Sequence, residues 1–268
     1  MSIRRAARTL REYALFYFCL LYFGLLGVAL SVVSIPLYHM LPPAQRTRFG
    51  KYVIASLFRW FLTLLKLCRL ARLDLSALDA LRGEPGILIA PNHPCLLDAV
   101  FVIAYVPEVA CIMKAEIWDN VVLGGGARLA GYIRNDSTMS MVQRSAHALR
   151  EGSPLLVFPE GTRTRRAPVN DFKGGFALIA KRAHAPVQTV FIETDNPFLG
   201  KGWRLLRKPC FPLQYRVRLG RRFSVGGDLK AFMHELHAYY RQELAASASE
   251  DPSPVLHPAG SPRPGPVA

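Results

Sequence analysis

The chain has 268 residues, with 34 Lys or Arg against 19 Asp or Glu, a formal net charge of +15. Such a surplus favours anionic partners, namely phospholipid surfaces, phosphate-bearing substrates, nucleic acid or acidic carrier proteins, and the length suits one sizeable α/β domain with appendages or two small domains. The five cysteines, Cys19, Cys68, Cys95, Cys111 and Cys210, form no CxxC pair, which argues against a disulfide framework or a zinc site.

The first element is an anchor. Arg4, Arg5, Arg8 and Arg11 precede an uncharged run, Tyr13 to Leu37, longer than the roughly 20 apolar residues that span a bilayer. The run is too long for a cleaved signal peptide, and no A-x-A site follows. Arg46, Arg48 and Lys51 lie just beyond it, so the charge asymmetry that sets topology is slight. Pro36, Gly24 and Gly27 could let the segment bend and return, and a monotopic or re-entrant anchor is expected. The second element, KYVIASLFRWFLTLLKLCRLARL, places Lys51, Arg59, Lys66 and Arg69 on one side of a helix. It reads as a basic amphipathic helix on anionic membrane. The competing reading is a domain helix with a solvated basic stripe.

From Gly83 short apolar runs alternate with helix-like stretches: GILIAP, LLDAVFVIAYV, VACIMK, MSMVQRSAHALREG, PLLVFPEG, GGFALIAKRAHA, VQTVFIE. The alternation predicts an α/β fold, a mostly parallel sheet flanked by helices. The expected organisation is an anchor and basic helix over 1–82, an α/β domain over 83–246, and a disordered Pro-rich tail over 247–268.

Two polar loops follow predicted strands. NHPCLLD leaves ILIA, and PEGTRTRR leaves PLLVF. Loops leaving the carboxyl ends of parallel strands share the edge where ligands bind, so the two should converge. His93 and Asp98 cannot meet within one regular helix, because five residues turn through about 140°. With His93 in the loop and Asp98 in the first turn they can meet, and Pro94 suits a first helical position, with Asn92 or His93 at the cap. The carboxylate would then fix the imidazole tautomer and leave the other nitrogen as a base. Cys95 is a candidate nucleophile, but a substrate hydroxyl is the preferred one. Capping alone is the competing reading of His93 and Asp98. In the second loop Glu160 offers a carboxylate, Gly161 a positive-φ turn, Thr162 a hydroxyl and Arg163 a guanidinium fork for phosphate. A surface turn with a salt bridge is the alternative.

NHPCLLD and VFPEGTRTR resemble the NHx4D and FPEGTRS blocks of the lysophospholipid acyltransferases of the 1-acyl-glycerol-3-phosphate type. The resemblance implies His93 as general base, Asp98 as its orienting partner, and Glu160, Gly161, Thr162 and Arg163 on the acceptor. GYIRND resembles a shortened glycine-to-arginine block and would make Arg134 a phosphate-binding residue. APVQTVFIE stands where the family's proline-containing strand does. The implied reaction moves a fatty acyl group from acyl-CoA or acyl carrier protein to a lysolipid hydroxyl, lysophosphatidic acid by default, with no acyl-enzyme and no cofactor beyond the thioester co-substrate. The shortened block leaves open an amino-acid lysolipid or a specialised polyene or other secondary lipid as acceptor. The implied partners are the bilayer, the lysolipid and the acyl donor, and the implied location is the cytoplasmic face of an inner membrane.

Residues 201–222 carry Lys201, Arg204, Arg207, Lys208, Arg216, Arg218, Arg221 and Arg222 with no acid between them. Lipid headgroups or an acidic carrier protein are the expected contacts. No nucleic-acid module accompanies them. A silent membrane adaptor and a metal-dependent hydrolase are the rival functions. Intact His93, Asp98, Glu160 and Arg163 argue against the first, and the lack of a further ligand cluster against the second.

Overall fold

The computed structural model describes residues 3–120 and 124–250. Two long helices, α1 (Ile3–Met40) and α2 (Pro43–Leu67), precede β1 (Ala71–Asp74), a 3-10 turn (Ser76–Leu81), β2 (Leu88–Pro91), α3 (Leu97–Tyr105), β3 (Ala110–Lys114), α4 (Ala115–Trp118), α5 (Gly124–Leu129), β4 (Ile133–Asn135), α6 (Thr138–Arg150), β5 (Leu155–Leu156), α7 (Gly174–Ala183), β6 (Val187–Thr194), β7 (Leu213–Phe223) and α8 (Leu229–Glu250). The strands form one sheet in the order β1-β7-β6-β2-β5-β3-β4. β2 to β6 run parallel to one another, β7 pairs antiparallel with β6, and β1 pairs parallel with β7. The starts of β1 and β7 therefore share an edge with the C-terminal ends of the other five.

Strand side chains alternate between faces. Leu88 and Ala90 face a core with α6, α7 and α8, whereas Ile89 faces one with α1, α2, α3 and α5. The expected mostly parallel α/β sheet is present. The boundary drawn at residue 82 is not, because Ala71–Asp74 pairs with β7 and is too short for periodicity to reveal. The tail expected over 247–268 lies outside the described residues from 251 onward, while residues 247–250 continue α8.

α1 is one continuous helix through Gly24, Gly27 and Pro36, so the chain does not turn back inside the apolar run. It reverses at Leu41–Pro42, and Pro43 opens α2 at a position that wastes no helical N–H. α1 is long and apolar enough to cross a membrane. One face carries Phe16, Cys19, Ser31 and Ser34 into the protein, while Phe18, Leu21, Leu25, Val32 and Ile35 are exposed.

The basic stripe is divided, with Lys51 turned into the protein and Arg59, Lys66 and Arg69 exposed. Lys51 is buried and donates to the Glu108 carbonyl at 2.8 Å. Burial pushes its ammonium below the usual value, against the pull of the Glu108 charge. Arg59 donates twice to the Ala104 carbonyl, at 3.1 and 2.7 Å, and Arg82 reaches the Tyr105 carbonyl at 2.9 Å. Arg59 and Arg82 cover the C-terminal end of α3, where unpaired carbonyls and the negative end of the helix dipole lie, and Lys51 holds the loop just beyond it.

Close packing of α2 on the segment after α5 depends on Gly50. A Cβ there would stand 2.6 Å from Ala130 N and 2.7 Å from Leu129 C, both backbone atoms. Gly50→Ala is expected to destabilise the protein by about 1–3 kcal/mol. Gly24→Ala, where nothing lies within 4 Å, should be neutral or stabilising by up to about 1 kcal/mol. Thermal unfolding in detergent separates the two; equal midpoints would contradict the packing argument.

Candidate active site

The two polar loops meet at the C-terminal edge of β2 and β5. Asn92 acts as an extra peptide unit: its amide donates to the Ile192 carbonyl at 3.0 Å and accepts from the Ile192 N–H at 2.7 Å. This extends the pairing of β2 with β6 by one side chain and aims the next residue outward. Tyr240 of α8 adds a hydroxyl bond to the Ala90 carbonyl. α3 starts at Leu97, so neither Asn92 nor His93 caps it and Pro94 is not its first residue. Residues 92–96 form a turn instead, and Asp98 lies in the first turn of α3 as expected.

His93 Nδ1 and Asp98 Oδ2 are 2.8 Å apart. The Cys95 N–H also donates to Asp98 Oδ2 at 2.8 Å, and the His93 ring stacks on Phe158 with centroids 3.7 Å apart. These contacts hold the ring from two sides. The His93 side chain remains 14% exposed while that of Asp98 is fully buried. Burial pushes the Asp98 carboxyl above the ordinary carboxylate range, with the bonds from His93 and Cys95 pulling it down. With Nδ1 engaged, Nε2 is the nitrogen left to exchange a proton. Cys95 is 1% exposed, and burial followed by the Asp98 charge drives its thiol well above the ordinary value. A thiolate nucleophile is thereby disfavoured.

Glu160 takes a different place from the one the sequence suggested. It is 1% exposed and accepts from the His93 N–H, the Thr164 hydroxyl and the Asn170 N–H, each at 2.8 Å. The Thr164 N–H returns a bond to the His93 carbonyl at 2.7 Å. The carboxylate staples the two loops together and is unavailable to an acceptor. Gly161 does hold the left-handed turn foreseen for it, at φ +65°, but its N–H is spent on the Phe158 carbonyl. The N–H groups of Thr162 and Arg163 have no protein acceptor among the described residues.

Arg163 donates to the Leu199 and Gly200 carbonyls, both at 2.8 Å, which ties the second loop to the segment after β6. Arg163, Arg165 and Lys114 lie close enough to Lys201 for their charges to act on it. Desolvation, then the charges of Arg165, Arg163 and Lys114, push the Lys201 ammonium below its usual value. Lys201 also reaches the Thr162 hydroxyl at 3.4 Å. None of these four cations has a carboxylate partner among the described residues. Sequence reasoning missed Lys114. The signal was its position as the last residue of a strand at the ligand-binding edge. Arg134 differs from this group in having carboxylate partners: it lies in the edge strand β4, paired with β3, and is held by Asp119 at 2.6 Å and Asp136 at 3.7 Å.

The long basic region divides in two. On β7, Arg218 pairs with Glu193 and Glu243, Arg221 with Glu235, and Arg222 with Glu84, so this half is largely neutralised by acids distant in sequence. In the preceding loop, Lys208 pairs with Glu12 at 2.9 Å and Arg207 lies over Trp203 at 4.8 Å. No group of three His, Cys, Asp or Glu converges as a metal ligand set among the described residues.

A family model described as Acyltransferase matches residues 55–193. A 1-acyl-sn-glycerol-3-phosphate acyltransferase of Limnanthes douglasii is 27% identical over 164 residues. The match spans 58% of this chain and 58% of that protein, less than two thirds of its length. A lyso-ornithine lipid O-acyltransferase of Pseudomonas aeruginosa is 30% identical over 190 residues, 66% of this chain and 70% of its own. The crystal structure of the 1-acyl-sn-glycerophosphate acyltransferase PlsC from Thermotoga maritima has the same fold, with a TM-score of 0.69 at 18% identity over 91% of this chain and 98% of that one.

Asp98→Asn should leave the fold intact and lower kcat by about 10³–10⁴, because an amide facing Nδ1 imposes the wrong tautomer. The stability effect has a definite sign. A buried carboxyl with a raised pKa destabilises the folded state increasingly as pH rises from its unfolded value through its folded one. The melting difference between Asp98→Asn and the parent should therefore move in the variant's favour from acid to neutral pH. A pH-independent difference would contradict the burial argument. Glu160→Gln sets a donor against the Asn170 N–H, at a cost of about 1–3 kcal/mol. It should lower the melting point and kcat with acceptor KM unchanged; a rise confined to KM would restore Glu160 to the acceptor.

Proposed function

The chain belongs to the acyltransferase family, and on that footing we propose that it moves a fatty acyl group from an acyl thioester, acyl-CoA or acyl carrier protein, to the free hydroxyl of lysophosphatidic acid, giving phosphatidic acid. One observation carries the reading. The His93–Asp98 pair, 2.8 Å apart, shares an edge with four cations that lack carboxylate partners among the described residues, as a phosphate monoester would require.

In the proposed reaction His93 Nε2 takes the acceptor hydroxyl proton as that oxygen attacks the thioester carbonyl carbon. The carbonyl pair moves onto its oxygen, and the N–H groups of Thr162 and Arg163 are the proposed donors to it. Collapse breaks the C–S bond, and the leaving sulfur receives the proton from His93. Asp98 holds the tautomer and offsets the imidazolium charge. No acyl-enzyme forms. Lys114, Arg163, Arg165 and Lys201 would hold the acceptor phosphate. The outward apolar face of α1, flanked by basic residues, supports placement of the enzyme against the cytoplasmic face of an inner membrane.

The 30% identity to a lyso-ornithine lipid O-acyltransferase favours a second reading, an amino-acid lysolipid as acceptor. An ornithine headgroup carries an ammonium beside its carboxylate and has no net charge, whereas a phosphate monoester is a net anion, so four cations without carboxylate partners among the described residues favour the phosphate acceptor.

The test supplies detergent-solubilised protein with long-chain acyl-CoA or acyl carrier protein and either labelled lysophosphatidic acid or lyso-ornithine lipid. Phosphatidic acid should form with the parent and not with His93→Ala. Lys114→Ala or Lys201→Ala should raise the lysophosphatidic acid KM roughly tenfold, the value of one charge-assisted hydrogen bond. Turnover of lyso-ornithine lipid with lysophosphatidic acid inert would replace the acceptor.

A further inference from the structure

A second cationic site stands on the sheet edge that carries His93. A cavity of about 420 Å³ opens between the start of α1, the end of α2 and the starts of β1 and β7, with Arg8, Arg11, Lys66, Arg69, Arg72 and Phe211 on its walls. The one acid there, Glu12, is already held by Arg8 at 3.0 Å and Lys208 at 2.9 Å. The side chains of Arg11, Lys66, Arg69 and Arg72 have no ion-pair or hydrogen-bond partner among the described residues. Arg69 follows α2 at φ +59°, a left-handed position that glycine ordinarily fills. A guanidinium is thus kept where the backbone disfavours any side chain.

The topology relates this cavity to the reaction. β1 and β7 run against β2, so their starts lie on the His93 edge, with β1 three strands from β2. At about 4.8 Å per strand that is about 14 Å. Lys114 ends β3, two strands from β2 on the other side. His93 therefore stands between two cation clusters, and acyl transfer has two substrates. We infer that the cavity binds the phosphates of a coenzyme A thioester, the far end of the acyl donor, with the acyl carbonyl extended to His93. This assignment rests on the acyl-transfer reading. The cavity is concave and within the size range of small-molecule sites, which suits a nucleotide phosphate group better than the face of a folded carrier protein. Anionic lipid headgroups offer the same chemistry from another source.

Coenzyme A binding to detergent-solubilised full-length protein, followed by calorimetry, tests the site. Arg69→Gly keeps the left-handed cap while removing the side chain with its guanidinium, and Arg72→Gln removes a second charge on an exposed strand position. The double variant should raise the coenzyme A Kd and the acyl-CoA KM about tenfold or more, with lysolipid KM unchanged. A parent that binds no coenzyme A, or a variant that binds it as tightly, overturns the inference. So does a loss confined to flotation with phosphatidylglycerol vesicles, which would assign the cations to headgroups. Coenzyme A binding that the variant loses, in a protein that acylates no lysolipid, would uphold the site and sink the proposed reaction instead.

Discussion

A carboxylate that is 1% exposed must be fully satisfied or expelled, and Glu160 is satisfied by the His93 amide, the Thr164 hydroxyl and the Asn170 amide. A buried charge of this kind is costly to create and costlier to strand, since removing one partner leaves the desolvation unrecovered. The arrangement is therefore close to all-or-none. Both loops dock together, or neither holds its shape. The His93 ring inherits its position from this staple, from the Asn92 bridge to β6 and from the Phe158 face against which it stacks. The histidine and aspartate do the chemistry in the proposed mechanism, but a group that never meets substrate sets where they stand.

The reversed direction of β1 and β7 has a comparable reach. A wholly parallel sheet would have put the start of β1 at the far edge, out of reach of His93. Antiparallel pairing of β6 with β7 instead brings Leu70, Ala71, Phe211 and Pro212 to the ligand edge. There they meet α1 through Phe16, whose ring lies 6.0 Å from Phe198 and 6.1 Å from Phe211. Phe198 precedes Leu199 and Gly200, the carbonyls that hold Arg163. A continuous packed path thus runs from the apolar helix α1 to Arg163.

Much of this was legible in the sequence. The loop–helix junction at NHPCLLD fixes His93 and Asp98 locally, so five residues suffice to foresee their pairing. Strand alternation and the shared-edge rule brought the two loops together. What stayed hidden depends on burial or distant partners. A carboxylate in a glycine-containing turn reads as a ligand for substrate, and nothing local reveals that Glu160 points inward. Lys51 and Arg59 read as a membrane stripe because the carbonyls they reach, Glu108 just beyond α3 and Ala104 near its end, lie some fifty residues on. The arginines of β7 look unopposed until Glu84, Glu235 and Glu243 arrive from other elements. Arg134 drew attention through its motif, yet its neighbours Asp119 and Asp136 consume it.

α1 also constrains how the chain comes off the ribosome. Its inward face, with Phe16 and Cys19, finds part of its packing on Phe198 and Phe211, residues synthesised roughly 10–40 s later at ordinary elongation rates. Throughout that interval the longest apolar helix of the protein exists without its own fold to cover it. Bilayer contact during synthesis would shelter it, which makes the membrane a folding partner before it is a workplace. A version trimmed of α1 for convenience in solution would not be the same domain without a leash. It would lack one wall of its interior.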